Sequence, residues 1–180
     1  MRSLLLGIFL LFIGIGVKAQ EAQEIPVNKD TGLITFRDVV KVDGDKKHLF
    51  NRCISWVNSE YKDPVRVTSL RDFPNGIIAG KHRFRLFYND EEGNRRDGGM
   101  VNYVFKIDFK DGRYRYTVSN LTLKKQSRFP LEKWLDKDAV DYNPKMEDYL
   151  QQVAIFFKEW ADRLNKGMQP EKAPVDDSNW

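Results

Sequence analysis

The stretch VNYVFKIDFKDGRYRYTVSNLTL, residues 101–123, decides the fold. Val101, Tyr103, Phe105, Ile107 and Phe109 fall on one side of an extended chain, with Asn102, Lys106 and Asp108 on the other. A period of two marks a strand with one buried face, because successive side chains point to opposite sides. Lys110-Asp111-Gly112 interrupts the pattern with an Asp-Gly hairpin turn, where glycine supplies the positive φ. The return strand puts Tyr114, Tyr116 and Val118 on one side and Arg113, Arg115 and Thr117 on the other. The hairpin therefore has an aromatic face and a polar, cation-rich face.

On the N-terminal side, Phe73-Pro74-Asn75-Gly76 is a turn signal ahead of a long strand over residues 77–88, and residues 65–70 form a short one. The polar stretch NDEEGNRRDGG, residues 89–99, reads as a loop with three glycines. Residues 46–61 follow helical spacing through Leu49, Cys53, Trp56, Val57 and Tyr61, preceded by Asp43-Gly44-Asp45 as a cap and stopped at Asp63-Pro64. The first strand, residues 33–42, places Ile34, Phe36, Val40 and Val42 on one face; Asp38 interrupts that face and predicts a bulge or strand end. On the C-terminal side, residues 128–143 form a short helix or a packed loop. Asn143-Pro144 then opens a long helix with a broad stripe from Met146 to Leu164, ended by Gly167.

The order β-α-β-β-β-β-α predicts an α+β domain: one antiparallel sheet with two one-sided helices on the same face and the other face open. That open face collects Arg37, Lys41, Lys81, Arg83, Arg85, Lys106, Arg113 and Arg115, with Asp108 the main acid. Arg37, Arg83, Arg85, Lys106, Arg113 and Arg115 are the candidate partner-binding residues. The plainer reading is a solvated sheet face whose charges also deter edge pairing. Charge is polarised along the chain: residues 65–128 hold 14 Lys+Arg against 7 Asp+Glu, and residues 129–180 hold 7 against 11.

The N-terminus has the order of a secretory signal: Arg2, an apolar run LLLGIFLLFIGIGV over residues 4–17, and small residues leading to cleavage after Ala19. The run has 14 residues, short of the roughly 20 that span a bilayer, so no membrane anchor is expected after cleavage. Removal takes Arg2 and Lys18 and leaves 28 Lys+Arg against 26 Asp+Glu. The expected organisation is signal peptide 1–19, lead 20–28, α+β domain 29–167 and tail 168–180, in a periplasmic or secreted protein. A single cysteine, Cys53, cannot form an internal disulfide, and its place on an apolar helix stripe predicts burial.

Residues 25–44 (IPVNKDTGLITFRDVVKVDG), the helix KKHLFNRCISWVNSEY and residues 101–123 resemble the domain of unknown function 4468 family. These are exported bacterial proteins with a fold like one half of TATA-binding protein. The resemblance covers about residues 25–125 and implies fold and export. It carries no catalytic residues over, and the shared architecture does not imply nucleic-acid binding.

Catalytic signatures are sparse. His48 and Cys53 are five positions apart and so on different helix faces, and His82 falls on the inward side of its strand. Neither a serine-hydrolase elbow, a zinc-protease helix nor a phosphate-binding glycine loop occurs. Asp136, Asp138 and Asp141 lack the glycine and terminal glutamate of an EF-hand loop, and Asn120-Leu121-Thr122 is a lone glycosylation sequon inside an expected strand. No cofactor or metal is expected. Three functions remain open: a non-catalytic binding or assembly module using the basic face, or the loop over residues 89–99, on an acidic protein, polysaccharide or lipid headgroup; a carrier of a small apolar ligand between the last helix and the sheet; or an envelope hydrolase with paired carboxylates. Nucleic acid is not an expected partner.

Overall fold

The computed structural model describes residues 23–124 and 128–170. The expected signal peptide, and the part of the expected tail beyond residue 170, lie outside the described residues. Strand β1 (Phe36–Lys41) leads into α1 (Lys46–Glu60), a one-turn helix α2 (Pro64–Val67), strands β2 (Thr68–Asp72), β3 (Ile77–Asn89), β4 (Arg95–Lys110), β5 (Arg113–Lys124) and β6 (Arg128–Pro130), a 3-10 turn (Leu131–Leu135) and α3 (Lys145–Gly167). The sheet is antiparallel in the order β1-β5-β4-β3-β2, and β6 pairs with β5 beyond the end of β1.

The expected one-sided architecture is what the chain adopts. Val101, Tyr103, Phe105, Ile107 and Phe109 are all buried along one face of β4. Both long helices lie over that face, where Leu49, Cys53, Trp56 and Val57 of α1 meet Val153, Phe157, Trp160 and Leu164 of α3 in one core. The Asp45 carboxylate accepts from His48 N at 2.8 Å and so caps α1. Asn143 Oδ1 accepts from Lys145 N at 2.9 Å ahead of α3, whose first turn carries Glu147 and Asp148 in favourable positions for the helix dipole. Gly167 lies inside the last turn of α3 rather than beyond it: a Cβ there would come within 2.5 Å of Trp56 Cδ1, so close helix packing requires glycine.

Three local expectations change. The glycine-rich stretch before β4 is mostly strand; the turn is confined to residues 90–94, where Asp90 carboxylate oxygens accept from Glu92 N, Asn94 N and Arg96 Nε. Gly98 and Gly99 stay within β4, where Gly98 lies under the Tyr149 ring and Gly99 opposes Leu86 beside a bulge. Asp38 makes no bulge: β1 pairs with β5 in unbroken register, and an edge position leaves Asp38 exposed. The expected short strand over residues 65–70 begins as α2, because Asp63 caps Arg66 N and Pro64 suits a first helical turn.

Candidate functional site

The register of the sheet sets the residues of its open face in rows. Lys41 lies opposite Arg113, which lies opposite Lys110, so three cations stand side by side across β1, β5 and β4. The next row is Val39, Arg115 and Asp108, followed by Arg37, Thr117 and Lys106. On the far side of the sheet Lys81 faces Val104 and Arg83 faces Asn102.

Asp108 anchors the centre. Its Oδ1 lies 2.7 Å from Lys106 Nζ and its Oδ2 2.9 Å from Arg115 Nη2. Partial burial pushes the Asp108 carboxyl up, but hydrogen bonds and charge from Lys106 and Arg115 outweigh it and hold the pKa below the usual value. Asp97 likewise pairs with Arg85. Arg37, Lys41, Lys81, Arg83, Lys110 and Arg113 are exposed and have no carboxylate partner among the described residues. Asp111, close in sequence to the triple-cation row, is turned away: its Oδ1 accepts from Lys46 N at 2.7 Å at the start of α1. A depression of about 230 Å³ lies over this end of the sheet, lined by Val39, Asp108, Lys110, Arg113, Tyr114 and Arg115.

All six candidate residues therefore stand on one face, but they are not equivalent. Arg37, Arg83 and Arg113 are free cations; Arg85, Lys106 and Arg115 are held by acids. Lys110 was hidden in the turn tripeptide Lys110-Asp111-Gly112. Continuing the alternation of Lys106 and Asp108 by one step would have placed it on the same face.

The opposite face is filled by aromatic side chains. Phe84 stacks on Phe156 with ring centroids 3.9 Å apart, Tyr103 meets Phe157 edge-on at 5.1 Å, and Tyr116 meets Trp160 at 5.7 Å. Trp160 Nε1 donates to Tyr61 Oη at 2.9 Å, and burial pushes the Tyr61 hydroxyl up to about 12. Where α3 begins, a separate cleft of about 460 Å³ is lined by residues that include Tyr88, Arg95, Lys145 and Tyr149. Its two cations lie against rings, Arg95 over Phe87 and Lys145 over Tyr88.

The histidines and the cysteine are dispersed. His48 Nδ1 lies 2.8 Å from Asp45 Oδ1 on the exposed side of α1, whereas Cys53 is fully buried and its thiol is pushed up by desolvation. His82 is half-buried against the rings of Tyr61 and Tyr103; desolvation, then neighbouring Arg83, lowers its pKa. Asp136 Oδ1 accepts from Asp138 N in an exposed turn. No group of three His, Cys, Asp or Glu side chains placed to hold a metal occurs among the described residues. Asn120 is exposed, with φ of 55°, where the β4–β5 register shifts. No helix among the described residues is long and apolar enough to cross a membrane.

An antiparallel sheet carrying its helices on one face and a cationic surface on the other defines an α+β domain of the TATA-binding-protein-like class. Residues 36–124 match the model of a domain of unknown function (DUF4468) with TBP-like fold. A TBP-like protein from Parabacteroides distasonis superimposes with a TM-score of 0.65 at 15% identity, covering 82% of this chain and 99% of that one. A DUF4468 family protein from Bacteroides ovatus superimposes with a TM-score of 0.65 at 14% identity, covering 82% and 94%. At such identities the likeness concerns fold alone. No curated protein matches the chain.

Proposed function

We propose that this protein is a non-catalytic binding or assembly module of the bacterial cell envelope, periplasmic or secreted, whose open sheet face holds an anionic partner. The observation that carries the reading is the row Lys41–Arg113–Lys110, three adjacent cations with no carboxylate among them. Like charges directly opposite on neighbouring strands cost roughly 0.2–1 kcal/mol per pair, and a bound anion relieves that cost. A sheet face that needed only solubility would be better served by alternating signs. The depression beside the row gives an anionic group a place to sit, with Arg37 and Arg115 on the same surface. An acidic protein, a polysaccharide or a lipid headgroup supplies the required charge. The apolar-carrier reading has less support, since the aromatic side chains it relies on pack against one another.

The test is a pull-down from envelope extract at low and high salt, with wild type beside an Arg37→Ala/Lys41→Ala/Arg113→Ala variant. A partner retained at low salt by wild type and lost by the variant supports the reading. The variant should melt no lower than wild type, because its mutations remove repulsion. Equal retention by both proteins at all salt concentrations overturns it.

A further inference from the structure

Strand β2 pairs with β3 only as far as Gly80, opposite Thr68. Among the described residues, β3 from Lys81 to Asn89 is paired on its β4 side alone. The far end of this uncovered edge is closed by one side chain: Gln152 Oε1 accepts from Phe87 N at 3.0 Å and Gln152 Nε2 donates to Phe87 O at 2.8 Å. Phe87 thus turns its peptide groups away from β4. Since N–H and C=O directions alternate along a strand, those of Lys81, Arg83 and Arg85 face the same free edge. The β2 side agrees, because the Ala79 carbonyl oxygen, two residues before Lys81, faces that edge and accepts from Ser69 Oγ at 3.3 Å.

We propose that this edge accepts an extended acidic segment of a partner protein as an added antiparallel strand. The chemistry follows from the side chains. Lys81, Arg83 and Arg85 all lie on the open face, so residues opposite them in an added strand stand beside cations and are acidic. The residues between them face half-buried His82 and Phe84 and are apolar. The preferred segment therefore alternates acid and β-branched residues over about five positions, using the main chain for affinity and alternate side chains for selection. A second copy of this chain is a poor occupant, since antiparallel pairing of two such edges sets cation against cation. The basic edge thus repels itself and selects its opposite. This inference rests on the basic-face reading and narrows it to one partner class and one edge.

The experiment titrates isotope-labelled protein with a capped peptide Ser-Glu-Val-Glu-Val-Glu-Ser and with the same peptide N-methylated at its three glutamate amides. Charge is identical, but the methylated peptide cannot donate to β3. The expected result is slower exchange at the Lys81, Arg83 and Arg85 amides, with binding at least roughly tenfold weaker for the methylated peptide. Arg83→Glu should weaken the acidic peptide and favour its lysine counterpart. Equal binding of both acidic peptides, or peptide-dependent doubling of the protein's mass, overturns strand addition. If neither peptide binds while dextran sulfate still perturbs Arg37 and Arg113, edge addition fails and the basic face stands. If dextran sulfate also leaves them unchanged, both readings fail.

Discussion

Two adjacent glutamines of α3 make the same pair of hydrogen bonds in different places, and their truncation separates packing from decoration. Gln152 holds Phe87 N and O in a partly buried setting, at 3.0 and 2.8 Å. Gln151 holds Gln23 N and O at 2.8 and 3.0 Å, but in exposed chain ahead of β1. Each intramolecular hydrogen bond contributes about 1 kcal/mol net, and unsatisfied buried partners cost more than solvated ones. Gln152→Ala should therefore lose roughly 2 kcal/mol, a fall in Tm of about 4–8 °C for a domain of this size. Gln151→Ala should lose under about 0.5 kcal/mol, because water replaces the clamp and the freed segment is peripheral. Thermal melts by circular dichroism measure the global effect, and amide exchange measures the local one. In Gln152→Ala the Phe87 amide should exchange roughly tenfold faster or more, beyond any change at the β4 core amides. Equal losses in the two variants, or an unchanged Phe87 amide in Gln152→Ala, would refute the assignment of Gln152 as the clasp of the β3 edge.

Gly80→Ala should destabilise by about 1–3 kcal/mol, because an added Cβ meets Phe105 Cζ and the Val67 carbonyl oxygen, each at 2.5 Å; chemical denaturation gives the value, and a neutral result contradicts the packing described. His82 has a lowered pKa in the folded protein, so its neutral form stabilises the fold fully above the unfolded value of about 6.5. That contribution is lost as pH falls through 6.5 towards the folded pKa, and His82→Gln should flatten the decline of Tm between pH 7.5 and 5.5. The buried Cys53 thiol should react with a chromogenic disulfide reagent only after unfolding; prompt labelling of native protein contradicts its burial.

Much of the fold was legible because periodicity and solvent agree in β4 and β5. Alternation from Val101 to Phe109 needs a two-sided environment, and only a sheet covered on one face supplies it. The β3–β4 turn was misjudged for a physical reason: Gly98 and Gly99 are small to admit Tyr149 and to accommodate a bulge, contacts made by residues remote in sequence. Asp38 misled likewise, since an acid on the inward-facing side of an edge strand keeps its access to water. At the candidate site the cations were legible and their pairing was not. Whether an arginine is free depends on cross-strand register, which places Asp108 beside Arg115 and leaves Arg113 between Lys41 and Lys110.

The central claim is that the cationic sheet face, rather than the helical face, meets the partner. Its most direct test follows backbone amide shifts of the labelled protein during titration with short dextran sulfate at low salt. The largest shifts should fall on Arg37, Lys41, Lys106, Lys110 and Arg113, saturate together, and vanish as salt is raised. Shifts concentrated on α1 or α3, or binding that salt leaves unchanged, would contradict it.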